Sequence, residues 1–196
     1  MSSSCALLAL SNLAFIGLLP KLFFRKDGTL NARWLLTAFP FFFAPVLVAL
    51  AAFGALSPLS FGLPHEQPVR EGIAVLLFVA SIALMGFTLG AHRVPLSLWH
   101  QDNDDPVHVV THGPYAVVRH PFYASFLLGL LGVLVALPGM GTLLCFAVAL
   151  LLLDVTARRE ERRLLASPFG DEYRAYMRRA GRFAPRLFGR APGEAR

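Results

Sequence analysis

The stretch Thr111 to Tyr123, T-H-G-P-Y-A-V-V-R-H-P-F-Y, crowds histidines, an arginine, two prolines and two tyrosines between a polar loop and a strongly apolar segment. A second charged knot, Arg158-Arg159-Glu160-Glu161-Arg162-Arg163, follows two apolar runs later. Carboxylates can hold an ammonium, aromatic faces can hold a cation, and an imidazole can move a proton. Ionisable groups at a hydrocarbon boundary are costly unless they are paired or used. Together the two knots are expected to form a cofactor and substrate site at a membrane surface.

Plainer uses exist for each part. Arg119 could snorkel to lipid headgroups, with Pro121 in the first turn of a helix. Glu160 and Glu161 could pair with neighbouring arginines along a helix face. His92, His100, His108, His112 and His120 lie mostly eight residues apart and lack short ligand spacing, so no metal site is expected. Cys5 and Cys145 sit in apolar runs and read as small core residues. Gly139-Met140-Gly141 lacks a third glycine and a strand-to-helix context, which leaves a turn. Asp102-Asn103-Asp104-Asp105-Pro106 reads as a solvated turn.

The elements that must position the two knots are hydrophobic. Apolar residues make up 56% of the 196 residues and charged residues 15%, against about 45–50% and about 25% in ordinary globular chains. Long apolar runs then indicate an all-α, polytopic membrane helix bundle. Span one covers roughly Cys5 to Phe24 and is read as retained, because the start lacks a basic segment and a small-residue cleavage site. Its Asn12 should face other helices. Span two covers Trp34 to Leu56, with kinks expected at Pro40 and Pro45. Span three covers Gly72 to Ala91 and carries Gly86-x-x-x-Gly90, a close-approach motif. Spans four and five, Phe122 to Leu137 and Thr142 to Thr156, form a short hairpin about Pro138-Gly139-Met140-Gly141. That hairpin returns both knots to one membrane face.

Every Lys and Arg except Arg70 falls in segments that share one side in a five-span arrangement. By the positive-inside rule the N-terminus is outside, and the C-terminus and the site are cytoplasmic. The net charge of +6 then follows from topology and anionic lipid, with no case for nucleic acid. After span five a basic helix continues to about Ala166, Ser167-Pro168 interrupts it, and a second helix covers Asp171 to Arg179. Leu165, Phe169, Tyr173 and Met177 recur every four residues, which suits an amphipathic helix on the membrane surface or capping the bundle. Arg182 to Arg196 is expected to fray at its end.

Three motifs in combination carry a resemblance. R-H-P-x-Y (Arg119 to Tyr123), E-E-x-x-L (Glu160, Glu161, Leu164) and F-G-x-E-Y-x-x-Y (Phe169 to Tyr176) resemble the isoprenylcysteine carboxyl methyltransferase family, to which membrane phospholipid methyltransferases are related. The resemblance covers about residues 100–186. It implies an integral membrane enzyme using S-adenosyl-L-methionine, held in a cytosol-side pocket built by the last two spans and the tail. Residues 1–196 would then be one domain, with a three-span scaffold over 1–91 and the cofactor loop, hairpin and C-terminal lid over 92–186. The positions implied for the cofactor are Gln101, Val107, His108, Val109, Val110, Tyr115, His120, Pro121, Tyr123 and Glu160. Glu160 would face the amino-acid part of the cofactor.

Two positions depart from the family pattern. Ser125 stands where glycine is frequent, and Thr156 stands where the eukaryotic prenylcysteine enzymes have an arginine implicated in holding substrate. The expected acceptor is lipophilic or small, most readily a carboxylate, which is ionised at neutral pH and needs no base. Arg119 or Arg158 could position it, and Glu161 completes the catalytic candidates. An amine or thiol acceptor would require a proton carrier, for which His112, His120 and Glu161 are available. Two other classes compete. The first is an NADPH-dependent sterol-type reductase, which tends to carry Asn where Phe122 stands. The second is a non-catalytic membrane protein.

Overall fold

A computed structural model describes residues 2–18, 29, 32–53, 55, 67–91 and 109–186. Six α-helices follow in order: α1 (Ser3–Leu18), α2 (Ala32–Ala52), α3 (Gln67–Ala91), α4 (Pro121–Ala136), α5 (Met140–Leu165) and α6 (Gly170–Arg179). A 3₁₀ turn at Gly113–Ala116 precedes α4. All regular elements among the described residues are therefore helical, as the apolar periodicity demands. Helices α3 and α5 are long and apolar enough to cross a membrane, whereas α4 has only 16 residues.

The bundle buries several alanines between its helices and leaves many large apolar side chains facing outward, which suits a protein whose solvent is hydrocarbon. Ala9, Ala44, Ala74, Ala149 and Ala157 are buried, while Leu76, Phe87, Leu144 and Leu151 face outward. Helix α4 is the central element: twelve of its 16 residues are buried, and it packs chiefly against α3 and also against α1, α2 and α5. Asn12 lies fully inside and donates from Nδ2 to the Phe78 carbonyl at 3.2 Å, tying α1 to α3. Ser81 Oγ donates to the Ser125 carbonyl at 2.7 Å, tying α3 to α4. Cys5 and Cys145 are buried, and the Cys145 thiol donates to the Pro40 carbonyl of α2.

One expectation of close approach is corrected. Gly86 and Gly90 face open space, where an added Cβ would meet nothing within 4 Å. The inward stripe of α3 is instead Ala74, Phe78, Ser81, Met85 and Thr88. The tight glycine is Gly132 on α4, whose added Cβ would lie 2.6 Å from the Phe78 ring. Gly132→Ala should therefore cost about 1–3 kcal/mol by overpacking. A lowered apparent melting temperature in detergent, recovered by a second substitution Phe78→Leu, would verify the contact.

At the far end of the hairpin Thr142 closes the turn. Its hydroxyl accepts from the Gly139 N–H at 3.2 Å and donates to the Leu137 carbonyl at 2.6 Å. Helix α5 runs unbroken from this turn through the charged knot. It ends before Ser167, whose Oγ donates to the Leu164 carbonyl and accepts from the Phe169 N–H. Helix α6 begins with Asp171 and Glu172 and ends with Arg178 and Arg179, each sign matching its pole of the helix dipole. Its apolar side packs inward: Tyr173 and Tyr176 are buried with Ala180, against Val109, Leu164, Leu165 and Met177.

Candidate active site

Antiparallel return of α4 and α5 places the start of one beside the charged end of the other. Pro121 fits the first turn of α4, where its missing N–H costs nothing. This leaves His120 as the residue before the helix and Tyr123 one turn inside, their rings stacked with centroids 5.4 Å apart. Tyr123 donates its hydroxyl to Glu160 Oε1 at 2.6 Å. His120 lies between the two glutamates, with Nδ1 3.5 Å from Glu160 Oε2 and Nε2 3.3 Å from Glu161 Oε1. The R-H-P-x-Y and E-E-x-x-L residues thus form one constellation.

Glu161 is the hub. Its side chain is 4% exposed, and Arg119 donates to Oε1 from Nε at 3.0 Å and from Nη2 at 2.9 Å. Arg182 donates to the same carboxylate from Nε at 3.2 Å and from Nη2 at 2.7 Å. Glu161 lies beyond Thr156, outside the apolar part of α5. Burial alone would push its carboxyl up. The His120 and Arg182 hydrogen bonds and the charge of Arg119 outweigh burial and hold it well below the usual carboxylate range. A carboxylate so stabilised is a poor proton acceptor. The plainer alternative, pairing of Glu161 along its own helix, gives way to pairing across three segments.

Arg119 is also occupied by the protein itself. Beyond Glu161, its Nη1 donates to the carbonyls of Ala180 and Met177 at the end of α6. Arg158 sits apart from this group: it is exposed and pairs through Nε with Asp154 at 2.7 Å, one turn back on α5. Val109, Val110 and Tyr115 are half-buried, with Val109 packed against the Tyr173, Tyr176 and Ala180 cluster. Burial, with the charges of Tyr176 and Glu160, pushes the Tyr115 phenol well above its ordinary value, so it stays neutral. Tyr176 donates to the Tyr115 carbonyl at 2.6 Å and so fastens α6 to the 3₁₀ turn. His112 is exposed, with Nε2 3.0 Å from the Ala91 carbonyl. Gln101, Val107 and His108, like residues 102–106 for which a turn is expected, lie outside the described residues. Among the described residues no group of three or more His, Cys, Asp or Glu could hold a metal ion.

The tail contributes what sequence reasoning missed. Residues 180–183 cross the mouth of the hairpin, while the end of the tail expected to fray, residues 187–196, lies outside the described residues. Val118 and Gly181 form a parallel bridge, with Gly181 N–H donating to the Val117 carbonyl at 3.1 Å. The Arg119 and His120 N–H groups donate to the Gly181 and Arg182 carbonyls at 2.7 and 3.0 Å. Phe183 then places its ring edge-on to His120 and Tyr123, with centroids 6.0 and 6.4 Å away. Arg182 Nη1 also donates to Asp154 Oδ1 at 2.6 Å. Asp154 could have been found, because a lone acid inside an apolar run asks for a partner. Nothing in the sequence distinguishes Arg182 from the arginines around it.

The donor set suits a small zwitterionic sulfonium cofactor. Glu160 is a partly exposed carboxylate able to accept from an ammonium, and His120, Tyr123 and Phe183 supply ring surface beside it. Comparison with known proteins gives two matches. The family described as phospholipid methyltransferase matches residues 69–172, which contain nearly all of α3, the whole of α4 and α5, and the charged knot. The cobalt-zinc-cadmium resistance protein CzcN of Cupriavidus metallidurans is 40% identical over 79 residues. That alignment covers 40% of this chain and 36% of the relative, so the chain spans little more than a third of that protein's length. No solved structure matches the chain significantly.

Proposed function

Because the chain belongs to the phospholipid methyltransferase family, a membrane methyltransferase family related to the isoprenylcysteine enzymes, we propose that it transfers a methyl group from S-adenosyl-L-methionine to a lipophilic or small acceptor. The observation that carries this reading is His120 held between Glu160 and Glu161, with Tyr123 bonded to Glu160. In this reading residues 1–196 are one domain, 1–91 its scaffold and 92–186 the part that carries the site. The chain crosses the bilayer five times, with the N-terminus outside and the site at the cytoplasmic face. Four segments support the cofactor: the loop through Gln101, Val107, His108, Val109 and Val110; Tyr115; the His120-Pro121-x-Tyr123 turn; and Glu160.

When bound, S-adenosyl-L-methionine supplies an electrophilic methyl group whose transfer is an in-line displacement. The protein's work is then alignment, desolvation and charge placement. Glu160 would accept from the ammonium. The His120, Tyr123 and Phe183 rings would shield the cofactor from water. Arg119 and Glu161 fix the angle between α4, α5 and the tail. Arg158, exposed at the rim where it pairs with Asp154, would orient an acceptor carboxylate entering from the bilayer. A carboxylate acceptor is favoured because it needs no base. Glu161 is held ionised by its cationic partners, and His120 is enclosed by two carboxylates.

Calorimetric titration of S-adenosyl-L-methionine into detergent-purified protein tests the reading. Saturable binding is expected, weakened by about 2 kcal/mol or more in Glu160→Ala, where an ammonium would lose its partner. His120→Ala should weaken binding as well. Absence of binding by a folded, monodisperse wild-type sample would sink the proposal and make NADPH the next ligand to titrate.

A further inference from the structure

We propose that Arg182 is a positioning residue of the methyl-transfer site, the latch that makes closing the tail over the hairpin and completing the Glu160–His120–Glu161 constellation one event. The inference rests on the methyl-transfer reading above. It goes beyond that reading by assigning the function of closure to one side chain of the tail.

Three observations support it. First, the Arg182 guanidinium bridges two carboxylates on one face of α5: Asp154 through Nη1 at 2.6 Å, and Glu161 through Nη2 at 2.7 Å and Nε at 3.2 Å. Residues seven apart recur on one helix face after two turns. A planar fork can span them, whereas a point charge cannot serve both equally. Second, Gly181, immediately before Arg182, makes two backbone bonds of the closed tail, and the Arg182 carbonyl receives the His120 N–H. The same residue therefore sets the His120 backbone and, through Glu161, faces its ring. Third, Phe183 follows immediately and reaches His120 and Tyr123 only while the segment is drawn across. Arg182 Nη1 and Nη2 thus join the apolar part of α5, at Asp154, to its charged end, at Glu161, so the tail cannot lift without separating both pairs.

Geometry also explains why this arginine is singled out from its neighbours. Arg174 pairs with Asp171 one turn back in α6, and Arg186 bonds the Met177 and Arg178 carbonyls at the end of that helix. Neither touches α5. Arg158 competes for Asp154 but from its own helix, so it cannot bring a second segment.

The test uses the full chain in detergent micelles, with S-adenosyl-L-methionine as probe. Hydrogen exchange is followed at the Arg119, His120 and Gly181 amides, and cofactor dissociation is timed in parallel. In Arg182→Gln, exchange at these amides and cofactor dissociation should both quicken about tenfold, equivalent to roughly 1.4 kcal/mol. Arg182→Lys should recover less than half of the loss, since it keeps the charge without the fork. Asp154→Asn, which leaves the Arg182–Glu161 pair, keeps the idea testable where Arg182→Gln fails to fold, and should give a smaller change in the same direction. Arg178→Gln on the exposed face of α6 removes equal charge and should change neither readout. Unchanged exchange in Arg182→Gln and Asp154→Asn would overturn the proposal. So would full recovery in Arg182→Lys, or an equal effect of Arg178→Gln. A wild-type protein that fails to bind the cofactor would remove the methyl-transfer reading, and exchange would still decide whether Arg182 holds the tail.

Discussion

Glu161→Gln is expected to abolish methyl transfer and to lower stability by about 3 kcal/mol, because it leaves Arg119 and Arg182 facing a neutral amide where water is largely excluded. Both arginines and His120 converge on this one carboxylate. Loss of its charge should loosen α4, α5 and the tail together rather than one contact alone. Glu161→Asp keeps the charge but retracts it by a methylene, and should fall between wild type and Gln. Thermal unfolding in detergent, with methyl transfer assayed alongside, gives both numbers.

The pH dependence has a definite sign. Glu161 ionises more readily folded than unfolded, because its cationic partners overcome its burial. Its contribution is therefore complete above the ordinary glutamate value of about 4.3. It is lost as pH falls below that value through the folded one. Wild-type protein should lose apparent melting temperature on acidification below this range. Glu161→Gln, lacking the titrating group, should show a flatter profile there.

Gly181→Ala should have the second large effect and involves no charge at all. An added Cβ would fall inside the van der Waals envelope of the Ala184 carbonyl oxygen and lie 3.0 Å from its carbon. Both are backbone atoms, so no side chain can swing away. The backbone must shift, and with it go the Gly181 N–H bond to Val117 and the Arg119 N–H bond to Gly181. At about 1 kcal/mol for each hydrogen bond, plus about 1–3 kcal/mol of overpacking, the tail should stay open most of the time. Methyl transfer should fall by more than tenfold, while α1 to α3 melt as before. Retained activity with unshifted exchange at Arg119 and His120 would show that the tail closes by another route.

The hairpin geometry could be read from the residues. Four residues between two short apolar runs force an antiparallel return, and this alone puts Glu160 and Glu161 beside His120 and Tyr123. The interruption of the tail at Ser167 was legible for a similar reason, since serine and proline satisfy or remove backbone bonds locally. What could not be read is which arginine goes where. Arg119 and Arg158 looked equivalent as acceptor ligands, yet one is 9% exposed inside the hub and the other is 62% exposed on the rim. Helix periodicity fixes the face a residue takes on its own helix, but the inward reach of Arg182 depends on a chain segment with no period. The G-x-x-x-G of α3 misled for the opposite reason. Its spacing is local, while close approach depends on the neighbour, and the neighbour of α3 brings its own glycine at 132.

The shortness of α4 has a consequence for where the protein can work. Sixteen residues rise about 24 Å, against a hydrocarbon core of about 30 Å. Although α5 is long enough to do so, in the five-span reading α4 cannot reach both interfaces of an average bilayer at once. Either the leaflets pinch inward around it or the mouth at His120 sinks below the headgroup plane. Such hydrophobic mismatch costs a fraction of a kcal/mol for each ångström, so the lipid matrix itself sets how readily an acceptor meets the site. Membrane thickness then becomes a control parameter. Turnover should be highest in bilayers of shorter acyl chains and should decline as the chains lengthen, with no change in any residue of the site.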